Sequence, residues 1–147
     1  MPASKKGEKK GGKADQGQTI LKGVYMFPNG DKYDGEYIQC DGGLQRHGYG
    51  EHITTSGLCY QGNWSDDKMN GKGKLIHPSR AVYEGEFVNN EFSGFGRYTW
   101  ADGSSYEGNF SDNKLEGYGN FTDVKGQVWY GNFTHKAAPG LKFKLNL

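Results

Sequence analysis

Aromatic and polar residues alternate along this chain in short runs that return in step. In Tyr60-Gln61-Gly62-Asn63-Trp64 every second residue is Tyr, Gly or Trp, with polar side chains between. Alternate residues of a β-strand point to opposite faces. Tyr60, Gly62 and Trp64 therefore share one face, and Gln61 and Asn63 share the other. Asp66-Asp67 marks a short turn, after which Met69, Gly71, Gly73 and Leu75 share a face of a second strand. The pattern predicts a β-hairpin.

The hairpin recurs. Tyr-x-Gly-x-aromatic is found at Tyr33-Gly35-Tyr37, Tyr60-Gly62-Trp64, Tyr83-Gly85-Phe87 and Tyr106-Gly108-Phe110, and once more as Trp129-Gly131-Phe133. The last four starts are 23 residues apart, and the first gap is four residues longer. Gly-x-Gly pairs follow the first four, at Gly48 and Gly50, Gly71 and Gly73, Gly94 and Gly96, and Gly117 and Gly119. Turn residues precede each new aromatic, as in Asn29-Gly30, Ser56-Gly57, Asp102-Gly103 and Lys125-Gly126, while the third turn, Ser79-Arg80, lacks the glycine. Repeats of this length stack neighbour on neighbour. The expected fold is all-β: an elongated single antiparallel meander over residues 19–147, with about five hairpins, terminal half-repeats or caps, and glycine turns linking the hairpins.

Composition says what the core is made of. The 147 residues include 25 glycines, 14% aromatics and only 33% hydrophobic residues, with few branched aliphatics. Apolar burial must then come from aromatic rings laid on backbone and glycine. A glycine repeated within strands implies that something packs close over it. Tyr33, Tyr60, Tyr83, Tyr106 and Trp129 are expected to form a ladder of rings, with Tyr37, Trp64, Phe87, Phe110 and Phe133 beside it.

The opposite face carries the candidate binding residues. The middle residues of the Gly-x-Gly pairs are Tyr49, Lys72, Phe95 and Tyr118, with Leu141 at the equivalent last position. The other strand adds Asp34, Glu36, Glu84, Glu86 and Glu107 to that face. With the hairpins paired as supposed, an acidic row stands beside a broken aromatic row. Scattered exposed aromatics are ordinary, whereas aligned ones mark contact sites, and both readings stay open. On the second, Tyr49, Phe95, Tyr118 and Leu141, with Glu84, Glu86 and Glu107, bind a partner. The closing residues Leu141, Phe143, Leu145 and Leu147 alternate with Lys142, Lys144 and Asn146. Their apolar side falls opposite the glycines, unless a bulge near Pro139 resets the register. Either the lysines guard an open edge, or a partner strand docks there.

A net charge of +1 gives no case for nucleic acid. Lys5, Lys6, Lys9, Lys10 and Lys13 lie in a leader over residues 1–18, expected to be disordered. It is a solvated tail, or it makes weak contact with an anionic membrane or an acidic partner. Cys40 and Cys59 form no spaced pair and follow no signal segment, which reads as a reduced, cytoplasmic chain. His47, His52, His77 and His135 lack metal-ligand spacing. Neither a nucleophile elbow nor a phosphate-binding loop is found. No metal, cofactor or catalytic residue is expected. The sequons beginning at Asn63, Asn109, Asn120 and Asn132 read as by-products of the repeat.

Two glycine pairs and two aromatics recurring in phase resemble the MORN repeat family, over about Gly23 to Gly140. Leu21 and Lys142 depart from the motif where glycines should stand. The resemblance implies a non-catalytic scaffold that takes protein partners, a helix or peptide docked on the sheet, or a larger cytoskeletal complex. It implies settings such as the cilium, the flagellar axoneme or sperm. The alternative it carries is a peripheral membrane or phosphoinositide adaptor, for example at acrosomal or other vesicle membranes. A third is an enzyme-accessory role in trans.

Overall fold

The computed structural model describes residues 18–136 and 144–146. Eleven strands form one sheet in chain order: β1 (Leu21–Met26), β2 (Lys32–Cys40), β3 (Gly43–Ile53), β4 (Cys59–Ser65), β5 (Lys68–Ile76), β6 (Val82–Val88), β7 (Glu91–Thr99), β8 (Ser105–Ser111), β9 (Lys114–Thr122), β10 (Val128–Lys136) and β11 (Lys144–Asn146). Every strand pairs antiparallel with its neighbour in sequence. The expected meander is the observed one. Residues 1–17 of the leader and Leu141 lie outside the described residues.

Register turns the repeated glycines into a line. Gly23, Gly35, Gly50, Gly62, Gly73, Gly85, Gly96, Gly108, Gly119 and Gly131 oppose one another from strand to strand, one in each of β1 to β10. A tyrosine lies over each hairpin's pair. A Cβ added to Gly85 would come within 2.8 Å of the Tyr83 hydroxyl, and one on Gly96 within 2.7 Å of the ring. Tyr33, Tyr60 and Tyr106 cover their own hairpins' glycines in the same way. The ring belongs to the same hairpin as the glycines it covers.

The first glycine of each Gly-x-Gly has a different reason to be there. Between Gly62 and Trp64 the register shifts against β5, where Gly73 and Met69 are their partners. The same irregularity recurs in the β2–β3, β6–β7 and β8–β9 hairpins. Gly71 sits in this bulge with φ of 88°, left-handed backbone that a side chain would strain. Asn63, which the bulge leaves without a partner in its own hairpin, offers its carbonyl to the Tyr60 hydroxyl at 2.9 Å. Tyr83 donates likewise to the Glu86 carbonyl at 2.8 Å. Bulge and ring thus support each other, since a buried phenol needs an acceptor.

The tips of the β4–β5, β6–β7 and β8–β9 hairpins are two-residue turns with both residues left-handed: Asp66-Asp67, Asn89-Asn90 and Asp112-Asn113. Asp and Asn tolerate this conformation better than other side chains. The second tip residue also reaches the preceding hairpin. Asp67 Oδ1 accepts the Arg46 N–H at 2.9 Å, Asn90 Oδ1 that of Met69 at 2.8 Å, and Asn113 Oδ1 that of Phe92 at 2.8 Å. Neighbouring repeats are stapled at one edge as well as packed.

The longer first gap is absorbed without harm to the pattern. Its four extra residues add two paired positions, Gln39 with Leu44 and Cys40 with Gly43. An even extension leaves every side chain on its face. At the other end, β11 places Leu145 opposite Phe133, so the register is the reset one and not the continuation of the alternation.

Links between hairpins are five-residue loops closed by bonds such as Arg80 N–H to the His77 carbonyl at 2.7 Å. Glycine holds the left-handed position at Gly30, Gly57, Gly103 and Gly126, whereas Arg80 takes it with φ of 80°. Arg80→Gly should relieve a strain of about 1 kcal/mol, worth a rise in melting temperature of about 2–4 °C. Thermal unfolding by circular dichroism would show it, and a lower melting temperature would contradict the strain at this turn.

Candidate binding face

The glycine face is sealed by its own rings. Tyr33, Tyr60, Tyr83 and Tyr106 are buried, with Trp64, Phe87, Phe110 and Phe133. Each tyrosine meets the second aromatic of the following repeat edge-on: Tyr60 and Phe87 at 5.0 Å, Tyr83 and Phe110 at 4.9 Å, Tyr106 and Phe133 at 5.0 Å between centroids. Such pairs add about 0.5–1.5 kcal/mol each beyond burial. Desolvation raises the pKa of the Tyr60, Tyr83 and Tyr106 phenols, so they stay neutral donors. Trp129 is the exception to the expected ladder. It is exposed, its indole N–H 3.3 Å from Asp123 Oδ2, because no further hairpin covers it among the described residues.

The first hairpin carries polar groups on this face that the repeat pattern did not single out. Arg46 pairs with Tyr37 where Met69, Phe92 and Leu115 stand in later hairpins. His52 pairs with Tyr33 and Tyr60 where others have Leu75, Tyr98 and Phe121. The Arg46 guanidinium lies 4.2 Å from the Trp64 ring centroid and donates to Asp67 Oδ1 at 2.7 Å. A second nitrogen approaches His52 Nδ1 at 3.1 Å, and His52 Nε2 approaches Asp31 at 3.3 Å. Arginine offers only donors, so Nδ1 is the acceptor and the ring proton sits on Nε2. The line Asp31–His52–Arg46–Asp67 is internally satisfied and substitutes for apolar packing. The misfit of Arg46 and His52 to positions otherwise apolar was the readable signal, hidden by the longer first gap.

The opposite face is open. Tyr49, Phe95 and Tyr118 are 59, 57 and 75% exposed. Pairing sets Tyr49 against Asn63, Lys72 against Glu86, Phe95 against Asn109 and Tyr118 against Asn132. Tyr49, Phe95 and Tyr118 therefore project from β3, β7 and β9, with Lys72 from β5 interrupting them. Tyr49 and Gln61 border two shallow depressions, one lined also by Lys22, Asp34, Glu36 and Glu51, the other by Asn63, Lys72, Lys74 and Glu84.

The acidic residues are not the separate row expected from sequence. Glu84 stands between Lys74 and Arg97, and Arg97 stands between Glu84 and Glu107. The cations come from second strands, whose charges were not set against the first-strand acids. Glu86 opposes Lys72 within the aromatic row itself, and its carboxylate lies over the bulge at Gly94. Glu36 does the same at Gly48 and accepts the Tyr49 N–H at 2.7 Å. Acidity is concentrated at one end, where Asp34 opposes Glu51. Hydrogen bonds from Gln61 and Cys59 hold the Glu51 carboxyl below its usual range. Burial and that carboxylate push the Cys59 thiol up to about 11, which leaves it a poor nucleophile at neutral pH.

Fold and surface together define a tandem β-hairpin repeat protein with one self-packed face. The MORN repeat profile matches residues 22–32, 60–82, 83–105 and 106–128, more than half of the chain. The chain belongs to the MORN repeat family, a non-enzymatic repeat module. Residues 33–59, which fall outside the match, hold the extended hairpin with Arg46 and His52. Curated proteins gave no match. Among the described residues no group of three or more His, Cys, Asp or Glu could hold a metal, and no helix is long and apolar enough to cross a membrane.

The Asp67 staple has a pH signature. Burial pushes its carboxyl up, but hydrogen bonds and charge from Arg46 outweigh this and leave its pKa below the ordinary value. A carboxyl lowered in the folded state contributes stability above its unfolded pKa and loses it as pH falls through the folded one. Asp67→Asn keeps the acceptor, as Asn90 and Asn113 do, and removes the charge. Urea unfolding should find the variant weaker at pH 7 by less than about 1 kcal/mol, the pair being partly solvated. The gap should close as pH falls below about 4. A gap independent of pH would rule out the ionic contribution.

Proposed function

We propose that this chain is a non-catalytic protein-binding scaffold whose open face holds a helix or extended peptide. The observation that carries this reading is the exposure of Tyr49, Phe95 and Tyr118 on one face, while the rings of the other lie against glycine. Next-nearest strands are about 10 Å apart, so Phe95 and Tyr118 present rings at that spacing. Residues seven apart on a helix rise about 10.5 Å. A helix laid across the strands would meet both rings from one side. Alternating charge at Lys74, Glu84, Arg97 and Glu107 would orient a polar flank more than attract a strongly charged partner.

The setting we propose is a ciliary or flagellar axonemal assembly, including that of sperm. It rests on the family and on the closing residues Ala137-Ala138-Pro139-Gly140-Leu141-Lys142-Phe143-Lys144, which resemble the end of the small MORN repeat-containing protein 2. A second reading is favoured by the lysines at 5, 6, 9, 10 and 13: a peripheral adaptor at an anionic or phosphoinositide-bearing membrane, acrosomal or other. Each lysine near such a surface is worth about 1 kcal/mol.

Affinity capture from ciliated or testicular lysate, comparing wild type with Phe95→Ser/Tyr118→Ser, separates the two. Both rings are exposed, so the variant should keep its melting temperature within a few degrees. A defined protein recovered by wild type and reduced at least about tenfold in the variant is the expected result. Equal recovery by both would remove the open face from the reading. Vesicle binding lost on deleting residues 1–18 would favour the membrane adaptor.

A further inference from the structure

We propose that this chain associates head to tail with a second copy, β10 of one molecule completing the hairpin that β1 of the next leaves half built. In register β1 is the second strand of a hairpin. Gly23 lies on the glycine line where Gly50, Gly73, Gly96 and Gly119 lie in later repeats. Those four are each covered by the tyrosine of their hairpin's first strand. Over Gly23 there is no such ring: the nearest atom to an added Cβ is Tyr37 Cε1 at 3.7 Å, across on β2. Residues 1–20 contain no aromatic, so they cannot supply a Tyr-x-Gly-x-aromatic strand.

β10 is the converse, a first strand with Trp129 in the tyrosine position. β11 pairs with it only over Asn132 to Thr134, and no described residue pairs with Val128 to Gly131 on that side. β10 can be laid on β1 in the register of β4 on β5, where Cys59, Tyr60, Gln61 and Gly62 oppose Ile76, Leu75, Lys74 and Gly73. Val128 then faces Met26, Trp129 faces Tyr25, Tyr130 faces Val24 and Gly131 faces Gly23. All six non-glycine residues are large, apolar and exposed. They match pair by pair on both faces, with no charge among them. The Trp129 ring falls over Gly23 as Tyr60 falls over Gly73. A symmetric β1–β1 contact about Gly23 is poorer, since it sets Lys22 against Val24 and gives neither glycine a ring from a Tyr-x-Gly strand.

The two surfaces differ, so the contact is heterologous. It grows into an open chain of molecules unless rotation closes it. It is also short, ending where β11 begins, so it should be weak and dependent on concentration.

Sedimentation velocity of the full chain over a range of concentrations tests this. Wild type should pass progressively into species larger than a dimer. Gly23→Ala fits the monomer, where the added methyl makes only an ordinary contact, and removes the seat for Trp129. It should keep the wild-type melting temperature and raise the concentration for half-association at least about tenfold. Trp129→Ser, which removes an exposed ring, should do the same. In a Cys40→Ser/Cys59→Ser background, a Val24→Cys chain mixed with a Tyr130→Cys chain should form a mixed disulfide under mild oxidation in preference to self-linked pairs. A wild type that stays monomeric at its highest soluble concentration would overturn head-to-tail pairing. So would association unaffected by Gly23→Ala and Trp129→Ser, or self-linking of the Val24→Cys chain in preference to the mixed pair.

Discussion

A tyrosine ring lying across two glycines of its own hairpin is the contact on which the molecule depends. A sheet ordinarily buries its apolar face against a second layer, and here the described residues form one layer. The rings of Tyr33, Tyr60, Tyr83 and Tyr106 fold down onto the backbone, which is possible only where no Cβ stands beneath them. This contact requires the glycine line across ten strands and the bulge whose carbonyl accepts the hydrogen bond of the phenol. Burying such a ring is worth about 1.5–3 kcal/mol. Edge-on contact with the next repeat's aromatic then passes the stabilisation along the chain, in the nearest-neighbour manner of repeat proteins.

Much of this was legible because the determinant is local. Strand faces, hairpins, glycine turns and the packing of rings on glycine are set by period two and period 23. The two jobs within Gly-x-Gly were not separable, since a bulge at Gly71 and a ring floor at Gly73 leave the same letter in sequence. Nor could Trp129 be seen to differ from Tyr106, because its exposure depends on whether another hairpin packs beside it in space. Sharing of the open face by Phe95, Tyr118 and the glutamates was readable, whereas their order was not. Strand register decides that Glu84 and Glu107 flank Arg97, and register is a property of pairs of strands.

Self-packing has a consequence for what the protein can offer. One face is consumed by its own rings, with Arg46 and His52 closing the first hairpin through polar contacts. What remains is the opposite face, with Tyr49, Phe95 and Tyr118 exposed, and the two ends of the meander, where Tyr25 and Trp129 are exposed among the described residues. The proposed binding on the face and the proposed growth at the ends would use different residues, so substitution can separate them. A scaffold that extends by its own repeat rule would present the open face at regular intervals.

The dependence of the fold on ring-over-glycine packing is measured most directly by a double-mutant cycle on Tyr83 and Gly96. Urea unfolding would be followed for wild type, Tyr83→Leu, Gly96→Ala and the pair. If the ring is what forbids a Cβ at Gly96, Gly96→Ala costs about 1–3 kcal/mol in wild type and much less once Tyr83 is Leu. Additive costs in the double variant would mean that the glycine is required for some other reason, and ring-over-glycine packing would lose its place as the organising contact.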